Sequence, residues 1–268
     1  MSTFKDKNVL ITGGASGIGK IMGRIALEKG CKNLIIWDIN EANISATISE
    51  LSNYKNIKGY KVDVSDENEV NTIQKQVKAD VGVVDILINN AGIVVGKLFS
   101  DHSTNDIKKT MNINAIAPMI VTLPFLQDML AQKSGHICNV SSSAGLITTP
   151  RMAVYNSSKW AVYGWSDSLR IEMQENKTGV HVTTICPYYI NTGMFDGVKS
   201  PIIPILDPEK TAAKILRAIE RDKHFKGIPF GFHFIRFWQF ILPTRLFDFF
   251  FGKVFGIYHT MDNFVGRK

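Results

Sequence analysis

Cysteine is scarce in this chain of 268 residues, and the few cysteines suggest neither a cross-link nor a metal centre. The three of them, Cys31, Cys138 and Cys186, lie far apart in the sequence and show no CxxC spacing. We therefore expect no structural disulfide and no metal site. A reducing, cytoplasmic location is the favoured interpretation.

Long apolar stretches and linker-like segments are also missing. The sequence has no run of 18 consecutive apolar residues, which argues against a membrane-spanning helix. The first residues, MSTFKDKNVLITGG, contain no apolar h-region, so we expect neither a signal peptide nor an N-terminal anchor. Internal repeats and low-complexity segments are absent too. Residues 1–230 are therefore interpreted as one domain, followed by a C-terminal extension over 231–268.

The positive charge of the chain is concentrated at one end. The formal net charge is +7, and residues 209–268 hold 11 Lys and Arg against 5 Asp and Glu, a surplus of six. A nucleic-acid-binding protein usually spreads such charge over a binding face, so nucleic acid is not an expected partner. The same end holds eleven of the sixteen phenylalanines, between Phe225 and Phe255. A basic, aromatic segment fits contact with anionic lipid or with an apolar partner better.

Short apolar runs alternate with helix-like segments along most of the chain. Six runs rich in Val, Ile or Leu predict strands at 8–14, 33–38, 59–64, 84–90, 136–142 and 181–187. A short seventh strand is expected within 224–230. Helices are predicted near 17–29, 41–52, 66–79, 104–131 and 152–175. This rhythm predicts an α/β fold, a doubly wound parallel sheet with helices on both faces and right-handed crossovers.

A glycine-rich segment, TGGASGIGK, follows the first predicted strand directly. Gly13 permits a sharp turn, Gly17 lets the backbone approach a pyrophosphate, and Gly19 lets the next helix pack closely on the sheet. The start of that helix directs free N–H groups at phosphates. Glycines alone can mark no more than a tight turn, but their place in a strand–helix unit predicts dinucleotide binding. The predicted phosphate-binding residues are Thr12, Gly13, Ser16, Gly17, Ile18 and Gly19.

Asp38 ends the second predicted strand, 19 residues beyond Gly19. A carboxylate at this place accepts hydrogen bonds from the adenosine ribose and repels a 2′-phosphate. Ala15, Ser16, Ile39 and Asn40, where a 2′-phosphate would need a cation, include no Lys or Arg. We therefore expect NAD rather than NADP as the cofactor. The alternative for Asp38 is a cap for the helix that follows.

Tyr155 and Lys159 are four residues apart on a predicted helix and therefore share one face. A free phenol has a pKa of about 10 and is a poor base at neutral pH. An ammonium about 5 Å away is worth about 3 kcal/mol at an effective dielectric near 20, or roughly two pKa units. The sequence therefore predicts a phenol with a lowered pKa that acts as a general base. The alternative is a pair of ordinary helix-surface residues.

Together these motifs resemble the classical short-chain dehydrogenase/reductase family over about residues 5–230. The glycine motif, NNAG at 89–92, Asn114, Ser142, and the Tyr155/Lys159 pair occur in the family's order and spacing. The resemblance implies a Rossmann-type sheet of seven strands in the order 3-2-1-4-5-6-7, with NAD(P) bound at the strand C-termini. It also implies an oxidoreductase that exchanges a hydride between an alcohol and the nicotinamide.

The same resemblance assigns roles to single residues. It makes Tyr155 the acid/base, Lys159 the group that lowers its pKa and binds the nicotinamide ribose, and Ser142 the group that orients the substrate oxygen. Asn114 would steady Lys159 through a water, and Asn112 is the less favoured candidate for that role. Asp63 would contact the adenine amino group. Further cofactor contacts are expected from Val64, Asn90, Ala91, Gly92, Pro187, Ile190 and Thr192, while Asn89 would support the central strand.

One position departs from the family's pattern. After the sixth strand the family often has Pro-Gly, whereas this chain has CPYYINTGMF. Pro187, Ile190 and Thr192 keep the PxxIxT spacing that would hold the nicotinamide carboxamide. Tyr188 stands where glycine is usual, which raises a question about the local backbone shape.

The substrate side is predicted to be apolar. The family forms its substrate wall from the loop after the fourth strand, the residues after Ser142 and the segment after Pro187. The substrate contacts expected here are Val94, Leu146, Met152, Tyr188, Met194 and Phe195. The C-terminal residues ILPTRLFDFFFGKVFGIYHTMDNFVGR resemble the C-terminal ends of the branch of the family that acts on retinol, steroids and long-chain alcohols. We therefore expect an apolar alcohol as the substrate.

Several alternatives stay open from sequence alone. The same residues permit a carbonyl reductase that works mainly in the reductive direction, or a non-catalytic NAD-binding regulator. The resemblance suggests a homodimer or homotetramer built on the helices near 104–131 and 152–175. In the C-terminal extension, Phe234, Phe237, Trp238, Ile241 and Leu242 recur at helical spacing, and Pro243 should end any helix there. This extension is expected to be a substrate lid, a subunit contact or a peripheral membrane contact.

Overall fold

A computed structural model of the chain describes residues 2–266 and contains a seven-stranded sheet whose neighbouring strands all run parallel. The strands are β1 (Asn8–Thr12), β2 (Asn33–Asp38), β3 (Ile57–Lys61), β4 (Ile86–Asn89), β5 (Gly135–Val140), β6 (Val180–Pro187) and β7 (Phe225–Ile228). Their order, β3-β2-β1-β4-β5-β6-β7, confirms the predicted Rossmann-type sheet and its short seventh strand. The order reverses between β1 and β4, and ligands bind beyond the strand ends at such a point.

Helices cover both faces of this sheet. They are α1 (Gly17–Glu28), α2 (Glu41–Glu50), α3 (Glu67–Val81), α4 (Thr104–Met111), α5 (Ala117–Ala131), α6 (Ala153–Glu175), α7 (Pro208–Glu220), α8 (Ile235–Ile241) and α9 (Thr244–Phe247). Side chains of α1, α2 and α7 pack on one face of the sheet, and side chains of α3, α5 and α6 pack on the other. In β1, Val9 and Ile11 point into the first layer and Leu10 into the second. Burial on both faces explains why the strand sequences are continuously apolar.

Helix α7 was missing from the predicted elements, although its sequence carries a start signal. The Asp207 carboxylate accepts a hydrogen bond from the backbone N–H of Lys210 (2.8 Å), and Pro208 occupies the first turn. Ile215 and Ile219, four residues apart, are buried against the sheet. An Asp-Pro pair before an apolar helical stripe is a recognisable N-terminus.

The predicted helix over 104–131 is continuous in direction but changes form in the middle. A capping box of Ser103 and Asp106 starts α4, and a π-helical turn, Asn112–Ile116, joins α4 to α5. By length and composition, residues Thr104–Ala131 would also pass as a membrane-crossing helix, so the expectation that no segment qualifies is too strong. Buried core helices pass the same test, and α5 packs against the sheet through Val121, Phe125 and other side chains.

The C-terminal segment folds back over the strand ends of β6 and β7. It forms a 3-10 turn (Phe230–Phe234), α8, α9 and a second π-helical turn (Asp248–Val254), and α8 ends just before Pro243, as predicted. Its inward side chains join residues around Tyr155 in a third apolar cluster, which includes Leu146, Met152, Tyr188, Tyr189, Phe232, Ile235, Phe247, Ile257 and Met261. The fold thus places the aromatic end of the chain beside the predicted catalytic tyrosine.

Candidate active site

The glycine-rich turn after β1 is shaped for close backbone approach. Gly13 and Gly17 have φ values of +62° and +53°, a region that side chains with a Cβ rarely adopt. A Cβ on Gly19 would lie 2.1 Å from the Gly13 carbonyl oxygen, so the first turn of α1 packs directly on the loop. The Asn90 amide fixes this loop by donating to the carbonyl oxygens of Thr12 (3.0 Å) and Gly13 (3.2 Å).

Asp38 lies at the end of β2 with little exposed surface and borders the same cleft. Its carboxylate accepts hydrogen bonds from the backbone N–H groups of Ala15 (3.1 Å) and Asn40 (3.1 Å). The alternative interpretation of Asp38 as the cap of the next helix is wrong, because Asn40 caps α2 by accepting from the N–H of Asn43 (3.0 Å). The carboxylate therefore ties the glycine turn to β2 and leaves its negative charge at the cleft edge.

Asp63 borders the cleft beyond the end of β3. Its Oδ1 accepts hydrogen bonds from the N–H (2.9 Å) and the hydroxyl (2.6 Å) of Ser65, which hold the carboxylate in one orientation. Val64 lines the cleft next to it. The position suits an adenine ring, whose amino group needs an acceptor.

Tyr155 and Lys159 lie one turn apart near the start of α6, and both are buried. The Lys159 ammonium lies 5.7 Å from the centre of the Tyr155 ring and donates a hydrogen bond to the carbonyl oxygen of Val140 (3.0 Å). Ser142 follows β5, and its hydroxyl lies within hydrogen-bonding reach of the Tyr155 phenol. The hydroxyl also donates to the carbonyl oxygen of Pro187 (3.4 Å) and accepts from the N–H of Ala144 (3.1 Å). Because both are buried and face the cleft, the alternative of two helix-surface residues is wrong.

Asn114 lies in the π-helical turn between α4 and α5. Its side chain exchanges hydrogen bonds with Ile93, accepting from the N–H (2.8 Å) and donating to the carbonyl (2.9 Å). The same amide also donates to the hydroxyl of Ser158 (3.1 Å), which in turn donates to the Tyr155 carbonyl oxygen (2.7 Å). Asn114 therefore links the loop after β4 to the helix that carries Tyr155. The water-mediated link to Lys159 stays a prediction.

The electrostatics of the pair differ from the sequence-based expectation. Burial raises the pKa of Tyr155, and the hydrogen bond with Ser142 opposes that rise only in part. Burial also lowers the pKa of Lys159 to about 8. The expectation of a lowered phenol pKa is therefore wrong, because desolvation of the buried phenol is the largest influence on it. The phenol is suited to donating a proton.

Most of the predicted cofactor contacts line one continuous cleft. Gly13, Ser16, Gly17, Ile18, Asp38, Asp63, Val64, Asn90, Ala91, Gly92, Tyr155, Lys159, Pro187, Ile190 and Thr192 all border it. Thr12, Gly19 and Asn114 do not, since they support its walls from behind. Trp37, Ile39, Val62, Ile93 and Ile113 also line the cleft and were not among the predicted contacts. The sequence did offer a signal for these five residues, because each one is next to a predicted site residue: Asp38, Asp63, Gly92 or Asn114.

The predicted substrate contacts divide into two groups. Tyr188, Met194 and Phe195 border the cleft, and the Phe195 ring packs edge-on to Tyr155 with their centres 6.2 Å apart. Leu146 and Met152 do not reach the cleft surface, because they are buried in the third apolar cluster, and Val94 packs against the same cluster. The prediction that Leu146, Met152 and Val94 contact the substrate is therefore wrong. These side chains pack behind the wall of the cleft.

Tyr188, which replaces the glycine usual at this place, needs no unusual backbone. Its φ is not in the left-handed region. Its N–H donates to the Ile228 carbonyl oxygen (2.8 Å), and its ring packs on Phe232 with centres 5.5 Å apart. The aromatic residue thus fastens the segment after β6 to the C-terminal segment.

The cleft fits a nicotinamide dinucleotide. It combines a glycine turn that a Cβ would obstruct at Gly19, a carboxylate at the end of β2 and a Tyr/Lys pair at its far end. Gly92 leaves room at the centre, since a Cβ there would approach Asn114 Oδ1 to 3.2 Å and Lys159 Nζ to 3.7 Å. Such a site, at the switch point of a doubly wound sheet, defines a nucleotide-dependent oxidoreductase.

Comparison with known proteins gives the family. The short chain dehydrogenase family matches residues 7–202, and the chain belongs to it. It is 36% identical to epidermal retinol dehydrogenase 2 of Mus musculus, covering 97% of this chain and 85% of that protein. It is 33% identical to estradiol 17-beta-dehydrogenase 11 of Pongo abelii, covering 88% and 79%. It is therefore an oxidoreductase that acts on CH–OH groups with a nicotinamide cofactor.

A solved structure supports the same fold. A short chain dehydrogenase/reductase from Burkholderia phymatum in complex with NAD superimposes with a TM-score of 0.81. The match covers 88% of this chain and 94% of that one at 24% identity. This likeness concerns the arrangement of strands and helices.

Proposed function

We propose that this enzyme oxidises an apolar alcohol with NAD, using Tyr155, Lys159, Ser142 and Asn114 as its catalytic set. The observation that carries the proposal is the position of Tyr155. Its phenol lies where the polar cofactor side of the cleft meets an aromatic side, bonded to Ser142 and packed edge-on against Phe195. An alcohol bound there would present its hydroxyl to Tyr155 and its apolar body to the aromatic wall.

The residues divide the proton chemistry among them. A bound nicotinamide supplies the acceptor for the carbinol hydride. For oxidation Tyr155 must first lose its own proton to solvent; its phenolate oxygen then takes the hydroxyl proton, and the Ser142 hydroxyl holds the substrate oxygen in place. The Lys159 ammonium stabilises the phenolate, and Asn114 holds the start of α6 against the loop after β4. The protein thus contributes orientation and a positioned acid/base.

The preference for NAD over NADP rests on Asp38. Its carboxylate is fixed by two backbone N–H groups at the cleft edge, where the adenosine ribose of a dinucleotide would lie. A 2′-phosphate there would meet this negative charge. Ile39, which is mostly exposed, offers no compensating cation.

The proposed substrate class rests on the wall and on the relatives. Tyr188, Met194 and Phe195 offer no charge to receive a carboxylate or a phosphate. The names of the two relatives refer to retinol and to estradiol, both of which are apolar alcohols. A retinol-like, steroid-like or long-chain alcohol fits these observations.

One observation favours the reductive direction as a second candidate. Burial raises the pKa of Tyr155, so the phenol keeps its proton at neutral pH and can donate it to a carbonyl oxygen. The same site would then act as a carbonyl reductase on an apolar ketone or aldehyde. Comparing initial rates with NAD and alcohol against NADH and carbonyl at pH 7 distinguishes the two directions.

The proposed location is the cytoplasm, with peripheral contact to a membrane. The proposed assembly is a homodimer or homotetramer whose subunits meet through α5 and α6. Exposed apolar side chains on these helices, Leu123 and Ile171 among them, support the subunit contact. Light scattering of the purified protein would measure the assembly, and a monomer at micromolar concentration would contradict it.

The central test is Tyr155→Phe, assayed with NAD and a panel of retinol, steroids, aliphatic alcohols and sugars. We expect turnover of an apolar alcohol to fall about a thousandfold or more, because no proton acceptor remains, while NADH binding stays within about threefold. The matched control is Tyr163→Phe, since Tyr163 lies on the same helix but packs against Phe225 and Arg236. Full activity of Tyr155→Phe would refute the catalytic assignment. Turnover confined to sugars would refute the substrate class.

A further inference from the structure

Most of the apolar residues of helix α8, together with Phe234 just before it, lie on its outer side. Phe234, Phe237, Trp238 and Ile241, at spacings of three and four residues, form one helical stripe, and their side chains are between 43% and 54% exposed. The predicted apolar face of this segment thus exists, but it points away from the domain. An amphipathic helix that packs on a core shows the opposite arrangement.

The contacts on the inner side fix this orientation. Ile235 is buried, the side-chain amide of Gln239 donates a hydrogen bond to the Leu146 carbonyl oxygen (2.8 Å), and the Arg236 guanidinium lies 4.6 Å from the centre of the Tyr163 ring. Rotating α8 to bury its apolar stripe would break all three contacts. The outward face is therefore built into the fold.

This surface extends beyond the stripe itself. Phe240 is 90% exposed. Phe230 is also mostly exposed, and the centre of its ring lies 5.4 Å from the centre of the Phe234 ring. We call these six side chains the α8 outer face: Phe230, Phe234, Phe237, Trp238, Phe240 and Ile241. Clustered exposed aromatic residues of this kind mark an interaction surface.

The charge around the α8 outer face indicates what covers it. Apart from Arg236, which stacks on Tyr163, residues 225–256 contain three cations, Lys226, Arg245 and Lys253, against one carboxylate, Asp248. The Asp248 carboxylate already accepts a hydrogen bond from the Tyr258 hydroxyl. Two copies of this surface facing each other would bring like charges together, whereas an anionic lipid surface complements them.

We infer that the α8 outer face docks onto the surface of a bilayer that contains anionic phospholipid. Phe and Trp side chains enter the boundary between headgroups and acyl chains, and the flanking Arg and Lys side chains contact the phosphates. The docking does not depend on the reaction. If the proposed function holds, the apolar alcohol reaches the cleft from the bilayer. The reason is that the Gln239 side chain bonds the Leu146 carbonyl oxygen and so joins α8 to the loop that carries Ser142.

The test is co-sedimentation of the purified full chain with vesicles, without substrate. We expect binding to vesicles of phosphatidylcholine with about one third phosphatidylserine, weaker binding to phosphatidylcholine alone, and weakening by salt. Phe237→Asp and Phe240→Asp, separately, should each lower the partition coefficient at least about tenfold, because each removes apolar burial and adds a like-charge repulsion. Phe99→Asp is the control, since Phe99 is exposed to a similar degree outside this segment.

NADH binding and gel filtration are measured on every variant, so that a folding defect is recognised. Unchanged partition of both α8 variants, or an equal loss in Phe99→Asp, would overturn the assignment. Absence of wild-type binding to anionic vesicles would also overturn it. A change from oligomer to monomer in the α8 variants would assign the surface to a second copy and contradict the inference. Turnover plays no part in the readout, so failure of the proposed reaction leaves this test intact.

Discussion

The two halves of the cleft, on either side of Tyr155, are built in different ways. On the cofactor side the walls are strand ends and turns held by backbone hydrogen bonds, as between Asp38 and Ala15 or Asn90 and Thr12. On the substrate side the walls are aromatic side chains from the segment after β6, packed on the C-terminal segment. Tyr189 and Phe195, for example, pack edge-on with centres 4.9 Å apart.

This difference has a physical consequence. A wall of backbone groups tolerates few substitutions, since a single Cβ at Gly19 collides with the Gly13 carbonyl. A wall of packed rings can change one side chain and keep its shape, because neighbouring apolar groups repack at modest cost. The cofactor half is therefore suited to one ligand, and the substrate half is suited to variation in what it accepts.

The largest expected effect is at Lys159, where the two halves meet. Lys159→Met should abolish turnover if, as proposed, its ammonium stabilises the Tyr155 phenolate. It should also raise the free energy of unfolding by about 1–3 kcal/mol at pH 7, because burial lowers the pKa of Lys159 to about 8 and the charged form is disfavoured in the folded state. Urea denaturation of both proteins measures the difference.

The pH dependence of that gain has a definite sign. Between the folded pKa near 8 and the unfolded value near 10.5, the unfolded chain binds more protons at Lys159 than the folded chain does. The stability of the wild type therefore rises with pH in this window, and the gap to Lys159→Met narrows. A gap that is constant from pH 7 to pH 10 would show that a change in packing, not relief of charge burial, sets the difference.

A smaller but still large effect is expected from Gly19→Ala on the cofactor side. The new Cβ would lie 2.1 Å from the Gly13 carbonyl oxygen, so the loop or α1 must shift. We expect NADH affinity to fall about a hundredfold, measured by fluorescence titration. Gly164→Ala is the matched control, because Gly164 lies in α6 with open space around its Cβ position. That variant should be stabilised by about 0.5–1 kcal/mol with unchanged affinity.

Most residues that the sequence predicted for the cofactor half line the cleft, because their determinants are local. The strand–glycine–helix order, Asp38 at a strand end and the Tyr155/Lys159 spacing are all short-range patterns. The sheet order followed from the family resemblance and is confirmed. The prediction that the pKa of Tyr155 is lowered was wrong, because this pKa depends on how deeply the phenol is buried. Residues distant in sequence, such as Phe195, contribute to that burial, and no local pattern reveals them.

The substrate half was predicted only in part for the same reason. Tyr188 and Phe195 border the cleft, but Leu146 and Met152 are covered by the C-terminal segment, whose path over β6 and β7 cannot be read from periodicity. Periodicity found the apolar stripe of α8 but not the direction in which it points. That direction depends on tertiary contacts such as the one between Gln239 and Leu146.

An effect of intermediate size is expected on the choice between NAD and NADP. Asp38→Asn keeps an acceptor for the N–H groups of Ala15 and Asn40 but removes the charge that would repel a 2′-phosphate. The ratio of kcat/KM with NAD to that with NADP should fall about tenfold to a hundredfold. Glu41→Gln is the control, because it removes one carboxylate at the start of α2. An unchanged ratio would show that Asp38 does not contact the ribose.

The smallest expected effect lies on the substrate side and tests whether its wall is as adaptable as its construction suggests. Phe195→Ala removes the ring that packs against Tyr155 and Tyr189. The KM for an apolar alcohol should rise about tenfold, since apolar contact with the substrate is lost, while kcat and NADH affinity change little. Phe249→Ala, at a half-exposed ring in the C-terminal segment, should leave all three constants unchanged. If kcat falls and KM does not, Phe195 acts by holding the Tyr155 phenol, and the two halves are less independent than their different construction implies.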